Sequence, residues 1–553
     1  MKIPGLDGFL RNRARARLRN VMRGYRFLRS TGGLRRIAAL KEALTVTPVF
    51  HSTRDSKSFV GLSGDAAEIA VRQFLLVRLV GTCLGGELLN SVGQRNAPIT
   101  YPLPRAWRKV LREQGFNVDE RRSALLWACV VALHFASGIF VVLKLAIASI
   151  RSLLQSSSGR LKCYVYFDAL GLGNLPPLRG AGEKNDIVSW YLRWPGRVAG
   201  LNTVCHNIPA AGIRESDGHA IVPISSPLLP FAGLTSLARF LAASVISIGG
   251  AFFRALFGQW WYPIMLGEIA KAIHVRVQDP ALLARDYLFH NSNWVYRPLW
   301  THDAERQGAR ILFYFYSTNI EQFRQSGKYP DPLYGWRTMT WPKYLVWDSY
   351  QEAFVRRAVG DSAEINIVGP IPFHSGVPAP LDLPPNSIAV FDVQPMRNAV
   401  YQPLGIDIEY YVPRTASKFL TDIQRAAMDA GKVMLLKRKR DVGTRIHPGY
   451  VQTINWLSST SNYLGLDPDI SASALVERCQ AVISTPFTST AILGRELGKP
   501  SIYYDPHGVC EKDDRAAHGI PILSGQADLR EWLRGLSSSS SSGLEPTQEE
   551  GRG

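Results

Sequence analysis

Short apolar runs alternate with helical patterns along most of the chain, and this alternation limits the possible folds more than any other feature. A run of strand, helix, strand in this order favours parallel strands in doubly wound α/β sheets. The segment Ser349–Ala358 is one of the helical patterns. The strands predicted in the first series are CYVYFD (163–168), LNTVCHN (201–207), HAIVPI (219–224), ILFYFYST (311–318), KYLVWD (343–348) and INIVGP (365–370).

A second series follows the Pro-rich stretch Phe373–Ser387, which interrupts the alternation and indicates a domain boundary. Its predicted strands are IAVFDV, KVMLLKRK, AVIS and PSIYYD, and its predicted helices are ASKFLTDIQRAAMDAG, Pro448–Leu457, SASALVERC and TSTAILGREL. An additional strand–helix–strand unit is predicted from Ala97–Pro104, Arg105–Gln114 and FNV. The chain of 553 residues is long enough for about three domains of ~150 residues.

These patterns divide the chain into four parts. Residues 1–90 form a basic helical region, residues 91–375 a first Rossmann-like domain with apolar helices at 124–150 and 227–257, residues 385–535 a second Rossmann-like domain, and residues 536–553 a disordered low-complexity tail. The predicted fold class is therefore α/β, with two Rossmann-type domains facing a cleft.

The chain is strongly basic, with a formal net charge of +19 and a pI of about 9.7. Ten arginines lie between Arg11 and Arg36, without an acidic residue between Asp7 and Glu42, and apolar residues recur beside them at helical spacing. A basic amphipathic helix is compatible with an anionic membrane surface, with nucleic acid, or with a solvated protein face. Because the chain carries no nucleic-acid-binding signature, we favour the membrane surface and expect no nucleic-acid partner.

Two apolar segments raise the question of membrane insertion. Ala124–Leu143 is long enough to span a bilayer, whereas Phe240–Phe253 is short for a span. If only the first crossed, the arginine-rich N-terminus would lie opposite the rest of the chain, and if both crossed, two strands of one sheet would lie on opposite sides. We therefore expect a peripheral, monotopic protein on the cytoplasmic face of the inner membrane. A span, a hairpin and ordinary core helices are the alternatives.

Metal and disulfide chemistry is not indicated. The six cysteines are scattered without a CxxC pair, which predicts buried thiols in a reducing compartment and no structural zinc. Asp513-Asp514 lies in the charged run CEKDDR and is expected to be solvated, so no metal site is predicted. The N-terminus lacks the pattern of a signal peptide.

The segment Val482–Pro506 concentrates small hydroxyl groups where a predicted strand passes into a helix. A helix start presents unpaired N–H groups and a partial positive charge, and small hydroxyls add donors without blocking approach. The segment is therefore a candidate phosphate site, and an ordinary helix cap is the alternative. The candidate residues are Ser484, Thr485, Thr488, Ser489 and Thr490.

A cationic segment, Leu435–Tyr450, ends a strand with Lys437 to Arg440 and continues with Arg445 and the pair His447-Pro448. Since this strand precedes AVIS, we expect the two strands to be neighbours and Lys437, Arg445 and His447 to reach the hydroxyl segment. Charge-assisted hydrogen bonds to a phosphate would follow. A solvated loop and a simple turn are the alternatives.

These residues carry a resemblance to a known family. The stretch 484–506, with Pro486-Phe487-Thr488-Ser489, and the stretch Pro298–Asn319 resemble the polysaccharide biosynthesis family named for its Pro-Phe-Thr-Ser (PFTS) motif. The His-Pro pair followed by hydroxyls is more distantly similar to GT-B bacterial sialyltransferases and Kdo transferases, and to teichoic-acid glycerophosphotransferases. The resemblance implies a GT-B-like fold, a cytidine nucleotide and phosphate contacts from His447, Thr488 and Ser489. Pro486-Phe487 replaces an acidic-aromatic pair of the teichoic enzymes, which argues against a glycerol-phosphate donor.

Three further residues complete the predicted site. Glu496 lies on the helix after the hydroxyl segment, where the resemblance implies a ribose contact, with a surface role as the alternative. A transferase that inverts configuration needs a base for the acceptor hydroxyl, and Asp168 and Asp392 follow predicted strands. Asp348 also ends a strand and is a weaker candidate.

The resulting hypothesis is a membrane-associated glycosyltransferase of surface polysaccharide biosynthesis. It would move a sugar, for example a CMP-linked Kdo- or nonulosonate-type acid, from a nucleotide sugar to a lipid-linked or growing glycan. Inversion is expected, without a metal and without a cofactor other than the nucleotide-sugar substrate. The alternatives are a UDP- or GDP-sugar donor and a non-catalytic partner of an envelope assembly complex.

Overall fold

The computed structural model describes residues 6–31, 33, 37, 39–40, 43–44, 46–47, 62, 64–76, 81–155, 161–176, 186–291, 296–318, 321, 324, 327–372, 382–395, 410–438, 443 and 446–538. Two sheets lie in succession along this part of the chain, and we name them sheet 1 and sheet 2. Both are mostly or wholly parallel, so the predicted α/β fold with two Rossmann-type domains is confirmed.

Sheet 1 has eight strands in the order β3-β4-β2-β1-β5-β6-β7-β8, all parallel except that β3 is antiparallel to β4. Its central strands are buried along their whole length, as expected for a parallel sheet covered on both faces. The strands are β1 (Tyr164–Phe167), β2 (Thr203–His206), β3 (Arg214–Ser216), β4 (His219–Pro223), β5 (Asp286–His290), β6 (Arg310–Tyr314), β7 (Lys343–Val346) and β8 (Glu364–Ile367).

Helices precede and connect these strands. Before sheet 1 lie α1 (Leu6–Ser30), α2 (Gly64–Gln73), α3 (Gly81–Gly93), α4 (Arg105–Glu113) and the long helix α5 (Glu120–Leu154). The helices between successive strands of sheet 1 are α6 (Ile187–Arg193), α7 (Leu234–Leu256), α8 (Trp261–Val277), α9 (Trp300–Arg306), α10 (Tyr334–Arg337) and α11 (Ser349–Val359).

Sheet 2 has six parallel strands in the order β11-β10-β9-β12-β13-β14. The strands are β9 (Ser387–Phe391), β10 (Val433–Lys437), β11 (Tyr463–Leu466), β12 (Ala481–Ser484), β13 (Ser501–Asp505) and β14 (Ile522–Ser524). They alternate with α12 (Pro413–Asp429), α13 (Pro448–Leu457), α14 (Ala472–Arg478), α15 (Ser489–Glu496) and α16 (Gly525–Ser538).

Three expectations about the strands need correction. The unit predicted around Ala97–Pro104 is reduced to one parallel bridge between Ile99 and Val118, although its helix is present as α4. Strands β3, β5, β11 and β14 were not predicted, because they are short or carry polar residues at their ends. The omission of β11 and the position of β9 matter for the site, since β10 is separated from β12 by β9.

Helix α1 packs against α3, and its apolar side belongs to the protein core. Val21 and Leu28 are buried, Gly24 lies against the backbone of α3 at Leu89 and Gly93, and Arg17 pairs with Glu87 at 2.6 Å. The predicted basic helix is therefore present, but its apolar side is covered by protein. The exposed arginines on its other side remain available to an anionic partner.

Five cysteines with described side chains, Cys129, Cys163, Cys205, Cys479 and Cys510, are free thiols, but they are not all buried. Cys205, Cys479 and Cys510 are buried, whereas Cys129 is exposed on α5. The prediction of buried thiols was wrong at Cys129, which lies on the outer face of α5, and at Cys163, which is half-buried before β1. The predicted disordered tail began at residue 536, which was wrong for residues 536–538, because they form the end of α16. Residues 539–553 of the tail and the stretch 373–381 of the Pro-rich boundary lie outside the described residues.

Candidate functional site

The strand order reverses once in each sheet, and ligands of open parallel sheets bind beyond the carboxyl ends of the strands at such a switch point. In sheet 2 the chain moves outward from β9 to β10 and β11 and then returns to place β12 on the other side of β9. We call the ends of β9 and β12 the sheet 2 switch point. Ser484 of β12 lies opposite Phe391 of β9, so Asp392 and Thr485 follow side by side.

The hydroxyl segment begins at this switch point. The N–H of Thr485 donates to the Phe391 carbonyl at 2.9 Å, which extends the strand pairing by one residue. Ser484 Oγ and Thr490 Oγ1 are 2.8 Å apart, and Thr488 Oγ1 donates to the Thr485 carbonyl at 2.8 Å. Ser484 and Thr485 are buried, whereas residues 488–490 are half-buried. Thr488, Ser489 and Thr490 are therefore the hydroxyl residues that a ligand can approach.

The residues of the PFTS motif have distinct structural positions. The Pro486 carbonyl accepts a hydrogen bond from Tyr411 at 3.1 Å, and Phe487 is buried in the core beside the ring of Tyr503. Thr488 is the N-cap residue of α15, although its side chain bonds back to the turn and does not cap the helix. The predicted helix start is thus confirmed, and the first N–H groups of α15 have no partner within the helix.

Asp392 is a buried carboxyl at the end of β9. Only 5% of it is exposed, and Tyr450 donates to its Oδ2 at 2.5 Å. Burial raises the pKa of Asp392 to about 6, against the lowering effects of the Tyr450 hydroxyl and the nearby Arg438 charge. Its Oδ1 has no hydrogen-bond partner, and the same is true of Nε2 of the nearby buried Gln394. Unpaired buried polar atoms are uncommon and indicate a function or a bound group.

His447 lies beside this segment. Its N–H donates to the Pro395 carbonyl at 2.9 Å, and its Nδ1 accepts the N–H of Gly449 at 3.1 Å, which makes it the N-cap residue of α13. Because Nδ1 is an acceptor, the neutral ring carries its proton on Nε2, the form that donates to an anion. Since Tyr450 of the same helix reaches Asp392, the N-terminal turn of α13 lies over the end of β9.

The cationic residues predicted to reach the hydroxyl segment occupy different positions in the structure. Lys437 is buried, and its Nζ donates to the Pro468 carbonyl at 3.0 Å, so this ammonium is held by the backbone beside β11. The expected adjacency of β10 and β12 was wrong because β9 separates them. Arg438, the next residue, is close enough to lower the pKa of Asp392. Arg445 lies outside the described residues.

Glu496 is the last residue of α15, at the end of the helix away from the hydroxyl segment. Its carboxylate is exposed and pairs with Arg495 at 2.9 Å. The other strand-end carboxylate considered from the sequence, Asp348, caps α11 and contacts Nδ1 of His518 at 2.8 Å. Burial alone would raise the pKa of Asp348, but the His518 hydrogen bond and charge outweigh it and leave the pKa lowered.

Sheet 1 has an equivalent switch point between β1 and β5. Asp168 follows β1, is half-buried, and its N–H donates to the Leu288 carbonyl of β5 at 3.0 Å. Tyr166 donates to its Oδ1 at 3.3 Å, and His290 of β5 lies 3.2 Å from the Ala169 carbonyl through Nε2. Burial lowers the pKa of His290 to about 4, so this ring is neutral at physiological pH.

The two domains meet at the hydroxyl segment. Thr318, in the segment after β6, donates its N–H to Ser489 Oγ at 3.0 Å, and the two hydroxyls are 3.3 Å apart. An apolar cluster beneath includes Phe167 and Tyr314 of sheet 1 together with Phe487 and Tyr503. No sequence pattern distinguished Thr318, since Ser317 and Thr318 simply end an apolar run.

A second group of contacts between the two domains consists mainly of charged residues, and we call it the interdomain charge cluster. Arg515 Nε pairs with Glu321 at 2.5 Å and its guanidinium lies 3.6 Å from the ring centre of Tyr329. Tyr329 in turn donates to Asp514 at 3.1 Å, and Arg324 pairs with Asp513. Asp513 is exposed, as expected, but Asp514 is buried in this interface, which corrects the expectation of a solvated pair.

The described residues contain no group of three or more His, Cys, Asp or Glu side chains positioned to hold a metal ion. The carboxylates Asp168, Asp348 and Asp392 follow different strands and have separate hydrogen-bond partners. The groups at the sheet 2 switch point that could contact an anion are N–H groups, hydroxyls, His447 and Arg438.

Several solved structures match the chain at low sequence identity. A trehalose 6-phosphate synthase from Burkholderia multivorans is 10% identical over 69% of this chain and 91% of that chain, with a TM-score of 0.34. The wall teichoic acid polymerase TagF is 12% identical over 74% and 88%, with a TM-score of 0.36. A UDP-GlcNAc 2-epimerase from Methanocaldococcus jannaschii is 8% identical over 68% and 92%, with a TM-score of 0.33. No curated protein matches the chain.

A family model gives a direct assignment. The model described as "Polysaccharide biosynthesis PFTS motif protein" matches residues 251–533, about half of the chain. The matched region runs from α7 through sheet 2 and includes the motif Pro486-Phe487-Thr488-Ser489 at the start of α15. The chain therefore belongs to the polysaccharide biosynthesis PFTS motif family.

Proposed function

We propose that this protein is a glycosyltransferase that moves a sugar from a nucleotide sugar to a lipid-linked or growing glycan at the cytoplasmic face of the inner membrane. The observation that carries the proposal is the Thr318–Ser489 contact, because it brings the sheet 2 switch point against the other Rossmann-type domain. A donor held at the hydroxyl segment would thus face groups of sheet 1. Membership in the polysaccharide biosynthesis family supports the same chemistry.

The donor phosphate would lie at the start of α15. Thr488, Ser489 and Thr490 offer hydroxyls there, and the unpaired N–H groups of the first helical turn add charge-favourable donors. The Nε2–H of His447 and the guanidinium of Arg438 would approach from the side of β9 and α13. Together these groups would stabilise the negative charge that develops on the leaving nucleotide, without requiring a metal.

Asp392 would hold a proton beside that phosphate. Its pKa of about 6 is already high for an aspartate, and a phosphate bound nearby would raise it further by charge repulsion. The unpaired Oδ1 would then donate a hydrogen bond to a phosphate oxygen. Tyr450 is a positioning residue here, since it fixes the carboxyl through the other oxygen.

Asp168 would act as the general base. It is half-buried and therefore more accessible than Asp392, and it lies at the switch point of the opposite domain. In the proposed step, the acceptor hydroxyl transfers its proton to Asp168 while its oxygen bonds to the anomeric carbon. The bond from that carbon to the phosphate oxygen breaks at the same time, and the nucleotide departs with the electron pair. One displacement of this kind inverts the anomeric configuration.

The donor is proposed to be a CMP-linked acidic sugar of the Kdo or nonulosonate type, with UDP and GDP sugars as the competing class. Thermal shift with CMP, CDP, UDP and GDP tests this, because a ligand that binds only the folded state raises the melting temperature. A shift with CMP alone supports the donor class. A shift with UDP or GDP alone would replace the CMP-linked donor with a UDP or GDP sugar. The absence of a shift with any nucleotide would contradict the proposed function.

His447→Asn is the sharpest variant for the phosphate site. Asparagine can still cap α13, whereas the Nε2–H donor is lost. We expect the nucleotide dissociation constant to rise by about 10-fold or more, as for a hydrogen bond to a charged group, with little change in melting temperature without ligand. Ser471→Ala removes the capping side chain of α14 and serves as the control, since it should lower stability and leave nucleotide affinity unchanged.

A further inference from the structure

Helix α5 presents a long apolar face to solvent. It contains 35 residues, and only 17% of its most apolar stretch is buried. No charged residue occurs between Arg122 and Lys144. Large exposed side chains recur along one side at helical spacing: Leu125, Leu133, Phe140, Leu143, Ile147 and Leu154.

The opposite face of α5 is packed along the protein. At its midpoint a Cβ on Gly138 would lie 2.6 Å from Leu266 of α8, so the two helices touch backbone to side chain there. Helix α8 is buried on nearly all its turns, and its Glu268 accepts hydrogen bonds from Tyr296 and from the N–H of Leu299, next to α9. The middle of α5 is therefore one helix layer away from the domain that holds sheet 1.

Both ends of α5 are also fixed to that domain. Near the N-terminus, Arg108 of α4 pairs with Glu120 at 2.9 Å. Near the C-terminus, Ser149 Oγ accepts the N–H of Phe231 at 3.2 Å. Because α5 contacts the domain of sheet 1 at its two ends and at its centre, an α5 that crossed a bilayer would bring these contacting residues into the bilayer as well.

Helix α7 continues the same surface. Phe252 of α7 and Phe135 of α5 lie with ring centres 6.5 Å apart, so their outer faces are adjacent. Only 22% of the most apolar window of α7 is buried. Its strongly exposed apolar side chains are Leu234, Val245, Ile246, Phe252, Phe253 and Leu256, followed by Phe257.

The charges beside this surface have one sign. Residues 121–155 and α7 contain no Asp or Glu, whereas Arg121, Arg122, Lys144, Arg151 and Arg239 are exposed there. Anionic headgroups would complement this arrangement, since long basic side chains extend from an apolar surface to the lipid phosphate level. A symmetric second copy would instead bring the same cations against each other.

We infer that the outer faces of α5 and α7 form one platform that lies flat in a single leaflet of an anionic bilayer, and that neither helix crosses the membrane. An in-plane helix of this kind buries its apolar face by about 5–10 Å at the headgroup boundary. The inference deepens the membrane location in the proposed function and rests on that location, but not on the transfer chemistry.

Depth measurements along α5 distinguish a helix that lies in one leaflet from a helix that crosses the bilayer. An environment-sensitive dye is attached in separate variants to the native Cys129, and to cysteines introduced by Phe140→Cys, Ile147→Cys and Leu154→Cys in a Cys129→Ser background. Quenching by lipids that carry spin labels at known depths is then measured in phosphatidylglycerol vesicles. We expect a similar shallow depth at all four positions. A depth that peaks at residue 140 and decreases toward residue 154 would show a crossing helix and overturn the inference.

A negative charge introduced into the platform tests whether its partner is an anionic bilayer. Leu133→Glu should weaken partitioning into phosphatidylglycerol vesicles by about 10-fold or more, whereas Ile213→Glu, at an apolar residue 72% exposed next to β3, should not. Equal partitioning of both variants contradicts the platform. Loss of a lipid-free dimer in Leu133→Glu, combined with no vesicle binding by the wild type, assigns the surface to a second copy and also contradicts it.

The same variants distinguish a failure of the membrane platform from a failure of the proposed transferase function. Leu133→Glu should retain the nucleotide-dependent thermal shift, because residue 133 lies on the outer face of α5 and not at either switch point. Vesicle binding without a nucleotide shift would contradict the transferase and keep the platform. A nucleotide-dependent thermal shift without vesicle binding would support the transferase and contradict the platform.

Discussion

The two switch points of this protein have the same backbone plan and different side chains. Each lies where the strand order of a parallel sheet reverses, at β1 and β5 in sheet 1 and at β9 and β12 in sheet 2. The sheet 2 switch point carries hydroxyls, a helix start, His447 and Arg438, which all favour an anion. The sheet 1 switch point carries Asp168 and the neutral His290, which do not.

This difference shows that the backbone provides a place and the side chains decide what it can bind. A phosphate at the sheet 1 switch point would meet the Asp168 carboxylate, whereas a hydroxyl-bearing acceptor could give that carboxylate a proton. Asp392 complicates the contrast, since it places a carboxyl at the anion-favouring site. Its raised pKa lessens the conflict, because the carboxyl takes up a proton more readily than an ordinary aspartate, and a protonated carboxyl could donate to a phosphate.

The largest expected effect comes from removing the carboxylate that distinguishes the sheet 1 switch point. Asp168→Asn should reduce the transfer rate by about 10²–10⁴-fold, the usual contribution of a general base, while the nucleotide dissociation constant stays within about twofold. Single-turnover transfer and nucleotide titration measure the two quantities. A loss of nucleotide affinity as large as the loss in rate would mean that the two switch points do not have separate roles.

Asp392→Asn tests whether the buried carboxyl is costly when ionised. Because the folded pKa lies above the ordinary value of 3.8, the folded state holds this proton more tightly than the unfolded state does. The wild type should therefore lose stability as pH rises from about 4 to 6, relative to the Asn variant, by on the order of 3 kcal/mol. Urea unfolding of both proteins at pH 4, 5, 6 and 7 measures this difference. A constant difference would show that the carboxyl is ordinary.

Tyr450→Phe sharpens the same point by removing the hydroxyl that donates to Asp392. Without this donor the ionised carboxylate is stabilised less, so its pKa should rise further. The loss of unfolding free energy should be about 1–3 kcal/mol at pH 8 and smaller at pH 5, where the carboxyl is protonated. Tyr344→Phe, at a buried tyrosine of β7 whose hydroxyl accepts the N–H of Trp341, is the control and should show no such pH dependence.

Thr318→Val tests the contact that brings the two domains together, and the expected effect is the smallest. Valine keeps the N–H that donates to Ser489 but loses the hydroxyl 3.3 Å from it. We expect a loss of about 0.5–1.5 kcal/mol in unfolding free energy and a similar weakening of nucleotide binding. Calorimetric titration of the variant checks this. An unchanged affinity would separate the domain contact from the donor site.

Much of the fold could be predicted from the sequence because buried parallel strands are continuous apolar runs. The helix start at Ser489 could also be predicted, since a strand, a proline turn and small hydroxyls occur in order. The strand order could not, and for this reason Lys437 was expected beside β12 while β9 lies between them. The short strand β5, with its polar ends Asp286 and His290, lacked the apolar signal although it lies at the centre of sheet 1.

The site residues that escaped prediction act through distant contacts. Thr318 and Ser489 are 171 positions apart, and Tyr450 and Asp392 are 58 apart, so no local pattern connects them. Arg438 was one of four adjacent cations, and only the position of β9 distinguishes it from its neighbours. The role of α5 also depended on the structure, because exposure on one side and packing on the other are not visible in its composition.

Phe487 has a left-handed backbone conformation, with φ of 63°, at a position where glycine would be the unstrained choice. A bulky residue in this region costs about 1–3 kcal/mol, and its ring recovers energy only when it is fully enclosed, as it is here. The turn between β12 and α15 is consequently rigid before a substrate arrives. If a phosphate binds at the start of α15 as proposed, the donors there would be preorganised and would lose little conformational entropy.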